Sequence, residues 1–293
     1  MTIDTFPPGV LLIFGGLVLP FVSSGVRKTI ILLLPLLVLW SVWQISDGIQ
    51  LSLSFLEYEL AIVEGDTLSR LFATVFAVMV FGGGLFALNQ KEPFELAAAF
   101  VYGGSALGVV FAGDLITVFV FWEIMAIGST LVIWSAKTPQ SYRASIRYFI
   151  IHLLGGVILM VGIVMHIHNT GSVNFEAMTI DNVATWLILA GFLVNTGAPP
   201  LTAWLPDSYP EASFSGTVFL SAFTTKTAVY VLMRGFPGTE ILVYIGVYMI
   251  FYGIIYALLE NDMRRILSYS IINQVGFMVT GIGIGSEMAL NGA

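Results

Sequence analysis

Two ionisable side chains, Glu123 and Lys226, stand in the middle of long apolar runs. A charge placed in hydrocarbon costs at least about 2.5–3.5 kcal/mol on insertion scales, so such a residue points by default to ion or proton handling. At about 1.5 Å of rise per residue, Glu123 lies roughly 12 Å below the helix end, Asn195 roughly 18 Å and Lys226 roughly 15 Å, all near the middle of a ~30 Å core. Three separate spans bring polar chemistry to one depth. The competing reading, an inert buried ion pair that holds helices together, stays open on the residues alone.

Asn195 is followed by Gly197, Pro199 and Pro200. A proline pair removes two backbone donors, which predicts a broken or unwound seventh helix near the membrane interior. Broken helices present carbonyls and half-helix ends, which coordinate ions in transporters; a simple proline kink is the plainer alternative. His152, in the sixth span, is a candidate relay or a satisfied packing histidine. Thr224, Thr225 and Thr227 flank Lys226 and are able to support a water chain, although back-bonding to helix carbonyls is the expectation for one or two of them. His166 and His168 are two residues apart and face different sides of a helix, so a hydrated end is expected there and no metal site.

Elements that hold such residues at depth must be membrane helices. Of the 293 residues 57% are hydrophobic and 10% charged, against roughly 45–50% and 25% in average soluble proteins. That excludes a two-domain soluble enzyme. Runs long enough to cross fall at about 9–26, 29–46, 71–90, 94–113, 115–136, 144–167, 183–199, 214–235, 241–259 and 266–286. The expected fold class is an all-α polytopic membrane protein with about ten transmembrane helices, embedded in the lipid bilayer as one unit. With no cysteine, thiolate metal sites, cysteine-ligated clusters and disulfides are excluded, and no cofactor is expected. A net charge of −7 with scattered basic residues excludes nucleic acid as a partner.

The first run is not a secretory signal, because Arg27 and Lys28 follow it where a signal needs them before it; that helix is expected to remain. Placing the N-terminus outside puts Arg27, Lys28, Lys91, Lys137, Arg143, Arg147, Arg264 and Arg265 on the cytoplasmic side and leaves Arg70 and Arg234 outside. Cell-membrane localisation with an extracytoplasmic N-terminus follows as an expectation. The alternating stretch Leu51 to Leu60, followed by Glu64-Gly65-Asp66 as turn chemistry, predicts a small hairpin in the second connection. Its acidic residues read as a solvated face. The runs Gly82-Gly83-Gly84 and Gly103-Gly104 are read as close helix packing.

Four segments in order carry a family resemblance: FVFWEIMAIGSTLVIW around Glu123, NTGAPPLTAWLPDSYPEAS from Asn195, FLSAFTTKTAVYVLMR around Lys226, and ENDMRRILSYSIINQVGFM after the ninth span. With Asp66-Thr67-Leu68-Ser69 at the third span, they resemble the antiporter-like proton-translocating family over nearly the whole chain. That family includes the A and D subunits of Mrp-type multisubunit Na+/H+ antiporters and the membrane-arm subunits of complex I and membrane-bound hydrogenases. Within it, the resemblance leans to the Mrp D subunits.

The resemblance implies an inverted-repeat fold, with a first repeat at about 94–236 and an incomplete second at about 239–293. It implies Glu123 and Lys226 as proton-transfer residues, with H+ and Na+ or K+ as the ions and other membrane subunits of a hetero-oligomeric complex as partners. Two departures stand out. Asn195 occupies the place of a family lysine and cannot hold a proton. The chain also ends at Ala293, where the family continues through about four more helices, and ALNGA reads as a cut inside the next helix. A redox-driven pump subunit and a non-conducting structural subunit therefore stand as alternatives.

Overall fold

In the computed structural model, residues 6–293 are described. In chain order they form α1 (Pro8–Val18, prolonged by a 3-10 turn Leu19–Phe21), α2 (Ser24–Val42), β1 (Gly48–Phe55), β2 (Tyr58–Gly65), α3 (Thr67–Phe86), α4 (Pro93–Phe111), α5 (Leu115–Trp134), α6 (Pro139–Thr170), α7 (Val183–Thr196) and α8 (Trp204–Ser208). After a 3-10 turn, Tyr209–Glu211, come α9 (Phe214–Ala222), α10 (Thr224–Gly235), α11 (Ile241–Leu259), α12 (Met263–Ile284) and α13 (Glu287–Gly292). Eight helical segments among the described residues are long and apolar enough to cross a membrane, and Pro8–Phe21 and Val183–Thr196 are shorter apolar helices. The chain is a multi-pass membrane protein.

The chain divides into two compact units. The first comprises the chain up to Thr138 together with Ala212–Phe223. At its centre stands α4, buried from Glu95 to Phe111 except for half-buried Val101, which suits a helix with apolar residues on every side. Packing of α1 on α4 depends on missing side chains: a Cβ on Gly104 would lie 2.6 Å from the Gly9 carbonyl oxygen. Gly104→Ala is expected to lower stability by about 1–3 kcal/mol, the range for overpacking, because the obstacle is backbone. A fall in the melting temperature of the detergent-purified protein checks this; no change would mean that α1 can shift away at no cost. Gly83, Gly84 and Gly103 likewise face close neighbours, but a Cβ on Gly82 would meet nothing, so that glycine is not a packing residue.

Between α2 and α3 the hairpin forms antiparallel, with Phe55 opposite Tyr58. Its turn falls at Leu56-Glu57, inside the stretch expected to be one strand, and Leu56 takes the left-handed conformation at φ 54°. Glu64-Gly65 closes β2, and Asp66 is the N-cap of α3, accepting from the Ser69 backbone N–H at 2.6 Å while Ser69 Oγ accepts from the Asp66 N–H. Capping chemistry and turn chemistry use the same residue types, which is why the sequence expectation misplaced the turn.

In the second unit, Pro139–Glu211 with Thr224–Ala293, α11 and α12 approach through Gly246, Gly253 and Gly276. The segment 214–235, expected as one span, is divided at Phe223, whose φ −113° and ψ −63° leave α9 and α10 as separate helices. Phe223 is fully buried, edge-on to Phe76 at 5.5 Å and Tyr102 at 5.1 Å, and the Tyr102 hydroxyl donates to the Leu220 carbonyl at 3.4 Å. No proline or glycine marks this break, so nothing in the local sequence announces it.

Candidate functional site

The polar residues expected at depth are distributed over both units. In the first, Glu123 sits in the third turn of α5, half-buried, with Oε1 enclosed and without a hydrogen-bond partner. Buried polar atoms are nearly always paired, so an orphaned carboxylate oxygen in mid-span is an anomaly that demands a role.

The second unit collects most of the rest around the end of α7. Asn182 caps its start by accepting from the Thr185 N–H at 3.1 Å, and the helix stops at Thr196 with Gly197 left-handed at φ 75°. Pro199 and Pro200 follow, neither able to donate a backbone hydrogen bond, and helix resumes only at Trp204. The Trp204 indole N–H reaches back to the Val194 carbonyl at 2.9 Å, which also accepts the Gly197 N–H at 3.2 Å, so the side chain ties the resumed helix to the end of α7.

One residue before that stop, Asn195 is 1% exposed and its Oδ1 lies 2.8 Å from Nδ1 of His152 on α6. His152 is equally buried, packed against Tyr148 at 3.9 Å and Trp204 at 4.6 Å between ring centroids. A neutral imidazole that donates from Nδ1 carries a lone pair on Nε2, and that atom is buried with no partner. His152 is thus only half satisfied. The Tyr148 hydroxyl lies 3.3 Å from Thr224 Oγ1 at the start of α10, which links α6 to the helix of Lys226.

Lys226 occupies the first turn of α10 and is half-buried between Thr225 and Thr227, both fully buried. The hydroxyls of Thr225 and Thr227 make no hydrogen bond, to a helix carbonyl or to any other group. Their replacement by valine, which has the same shape, removes an unpaired hydroxyl and should leave stability unchanged or raise it by up to about 1 kcal/mol. Ion flux should nevertheless fall if these hydroxyls hold a water chain beside Lys226. A destabilised Thr225→Val or Thr227→Val protein would show that the hydroxyls are bonded after all.

Sequence reasoning missed Tyr148 and Trp204, although Tyr148 and His152 are four apart and share a helix face. It also missed the buried Glu95 and Asp114, because both stand at span ends. Asp114 caps α5, accepting from the Thr117 N–H at 2.8 Å and its hydroxyl at 2.6 Å; burial pushes its carboxyl up, against those hydrogen bonds. At the far end of α6, His166 is half-buried and His168 exposed. There His166, Thr170, Asn174, Glu176, Asp181 and Thr185 line a polar cleft of about 310 Å³.

Before α12, Glu260 accepts from the Asn261 and Asp262 N–H groups and from Arg265 Nε at 2.8 Å. Those backbone donors, Asn261 first, hold its carboxyl below the ordinary glutamate value. Its support for the turn is therefore present above the unfolded value and lost as pH falls through the lowered one.

The NADH:quinone oxidoreductase/Mrp antiporter, TM family matches residues 112–293, well over half of the chain. The chain belongs to this family. Among its relatives is the D subunit of the Na(+)/H(+) antiporter of Alkalihalophilus pseudofirmus, 33% identical over an alignment of 206 positions, with coverage of 64% of this chain and 42% of that protein. The M subunit of the NADH-quinone oxidoreductase of Pseudomonas aeruginosa is 30% identical over an alignment of 227 positions, with coverage of 68% of this chain and 44% of the relative. The chain thus spans less than half the length of these curated family members. In solved structures, a subunit of the Mrp complex from Dietzia superposes with a TM-score of 0.82 at 23% identity, covering 99% of this chain and 60% of the other, a likeness of fold.

Proposed function

We propose that this chain is the ion-translocating part of a multisubunit cation/proton antiporter, passing protons near the membrane midplane through Glu123 and Lys226. The observation that carries the reading is the enclosed, unpartnered Oε1 of Glu123 in the middle of α5. An inert ion pair would leave no such atom, whereas a proton carrier must alternate partners. The Alkalihalophilus relative, named as part of a Na(+)/H(+) antiporter, supports the cation exchange, and by the same analogy the chain works beside other membrane subunits. The positive residues favour an extracytoplasmic N-terminus in the cell membrane. Residues at about 94–236 are assigned to the first inverted repeat and those at about 239–293 to the start of the second.

A second reading, a proton-pumping membrane-arm subunit of a redox complex, is favoured by the likeness to the NADH-quinone oxidoreductase relative. Either role makes the chain a transporter subunit, with redox chemistry carried by partners. A third, a non-conducting structural subunit, is favoured by Asn195, which cannot take the proton that a lysine would. The test is the purified complex in proteoliposomes. Proton movement driven by a Na+ or K+ gradient alone supports the antiporter; movement only with a reduced nicotinamide and a quinone supports the pump. No proton movement in either condition would leave the structural role.

A further inference from the structure

Glu95 stands in the first turn of α4, 1% exposed, and no part of the proton route proposed above uses it. Its Oε1 accepts three hydrogen bonds, from Ser215 Oγ at 2.5 Å, Ser213 Oγ at 2.7 Å and Gln90 Nε2 at 2.9 Å. The donors are fixed in that direction. Gln90 Oε1 already accepts the Lys91 N–H at 2.8 Å, so its amide nitrogen faces the carboxyl. Ser213 Oγ already accepts the Gly216 N–H at 2.8 Å as the N-cap of α9, which leaves its own proton to donate.

All three bonds end on one oxygen. The other, Oε2, is buried and has no protein partner. If Glu95 only tied α4 to α9, a carbonyl would serve, and the residue would bear an unpaired carboxylate oxygen for nothing. An oxygen left unpaired beside one that is firmly held is what a group needs to take up and release a proton without losing its place.

Position agrees with such a role. One turn above, Lys91 is exposed, and Lys137 pairs with Glu92 at 2.6 Å at the surface, so water lies close to the carboxyl. Below it, α4 is buried except for half-buried Val101. On neighbouring α5, which runs the other way, Glu123 lies about 12 Å deeper by the rise of 1.5 Å per residue, a gap that a few water molecules cover.

We propose that Glu95 is a second proton-exchanging carboxyl of this subunit, the point where protons pass between the aqueous surface at the α4 and α9 ends and the interior of the first unit. The proposal rests on the proton-translocating reading above. A proton from water adds to Oε2, Oε1 keeps its three donors, and the same proton then leaves Oε2 to water on the Glu123 side, or the reverse.

The experiment measures proton flux through the full-length protein in its assembled complex, reconstituted as wild type, Glu95→Gln and Glu123→Gln. Glutamine keeps the acceptor for all three donors, so a mere tie survives in Glu95→Gln. The expected result is normal assembly and a tenfold or greater loss of flux, partly restored by millimolar formate, a small weak acid able to stand in one turn below the surface. Deep Glu123→Gln should gain nothing from formate and so controls for leak. Wild-type flux in assembled Glu95→Gln overturns the proposal, and so does a loss that formate does not relieve. If wild type itself moves no protons, the underlying reading fails first. Should Glu95→Gln not assemble, the wild-type complex is treated with a hydrophobic carbodiimide, which modifies protonated carboxyls. Modification of Glu95 by mass spectrometry, with loss of flux, supports the proposal, and its absence overturns it.

Discussion

Glu123→Gln is expected to cut proton translocation by the assembled complex on the order of a hundredfold, the lower end of what a positioned proton-transfer group contributes. Glutamine has the volume of glutamate and can form hydrogen bonds, but its carboxamide neither takes up nor releases a proton near neutral pH. Replacement costs Oε1 no hydrogen bond, since it has no partner to lose. Assembly should therefore be intact. Flux in proteoliposomes, set against the amount of complex recovered, separates the two effects. Wild-type flux in Glu123→Gln would remove this residue from the route and leave the orphaned oxygen as an ordinary packing defect.

Asn195→Leu should injure both stability and transport. The substitution keeps the size of the side chain but takes away the Oδ1 that lies 2.8 Å from His152 Nδ1. His152 would then hold two unpaired nitrogens among Tyr148, Trp204 and the end of α7, and one newly unsatisfied buried group costs about 1–3 kcal/mol. Thermal unfolding of the purified complex should show that loss, and flux should drop with it. Asn195→Asp, which retains an oxygen acceptor for His152, should recover much of the stability. If Asn195→Leu is as stable and as active as wild type, the His152–Asn195 contact contributes neither to the fold nor to the route.

The two variants differ in a useful way. Glu123→Gln removes a proton site from a place that needs no partner, so only transport responds. Asn195→Leu removes a partner from a place that needs one. A complex in which both variants lost stability equally would argue for structural roles at both positions.

By itself the sequence determined what hydrophobic runs and charge placement determine. Twenty apolar residues in a row have few alternatives to a membrane helix, because every backbone group must be satisfied within the segment. The run around Glu123 is helical as expected, and the end of α7 beside Asn195 followed from Pro199 and Pro200, which cannot donate. The four motif segments were enough for the family. Each of these rests on a local property that neighbours cannot override.

Only the tertiary structure decided which residues meet. His152 and Asn195 are 43 positions apart, and their hydrogen bond exists because α6 and α7 pack side by side. The three donors on Glu95 include two serines about 120 residues away, at the start of α9. The interruption at Phe223 has no proline or glycine behind it; it coincides with a buried ring packed edge-on against Phe76 and Tyr102, contacts from distant helices that no window of sequence contains. The same limit applies to Thr225 and Thr227, since whether a threonine bonds to its own helix depends on what surrounds its hydroxyl. Pairing of buried polar groups is a property of packing, and packing is long-range.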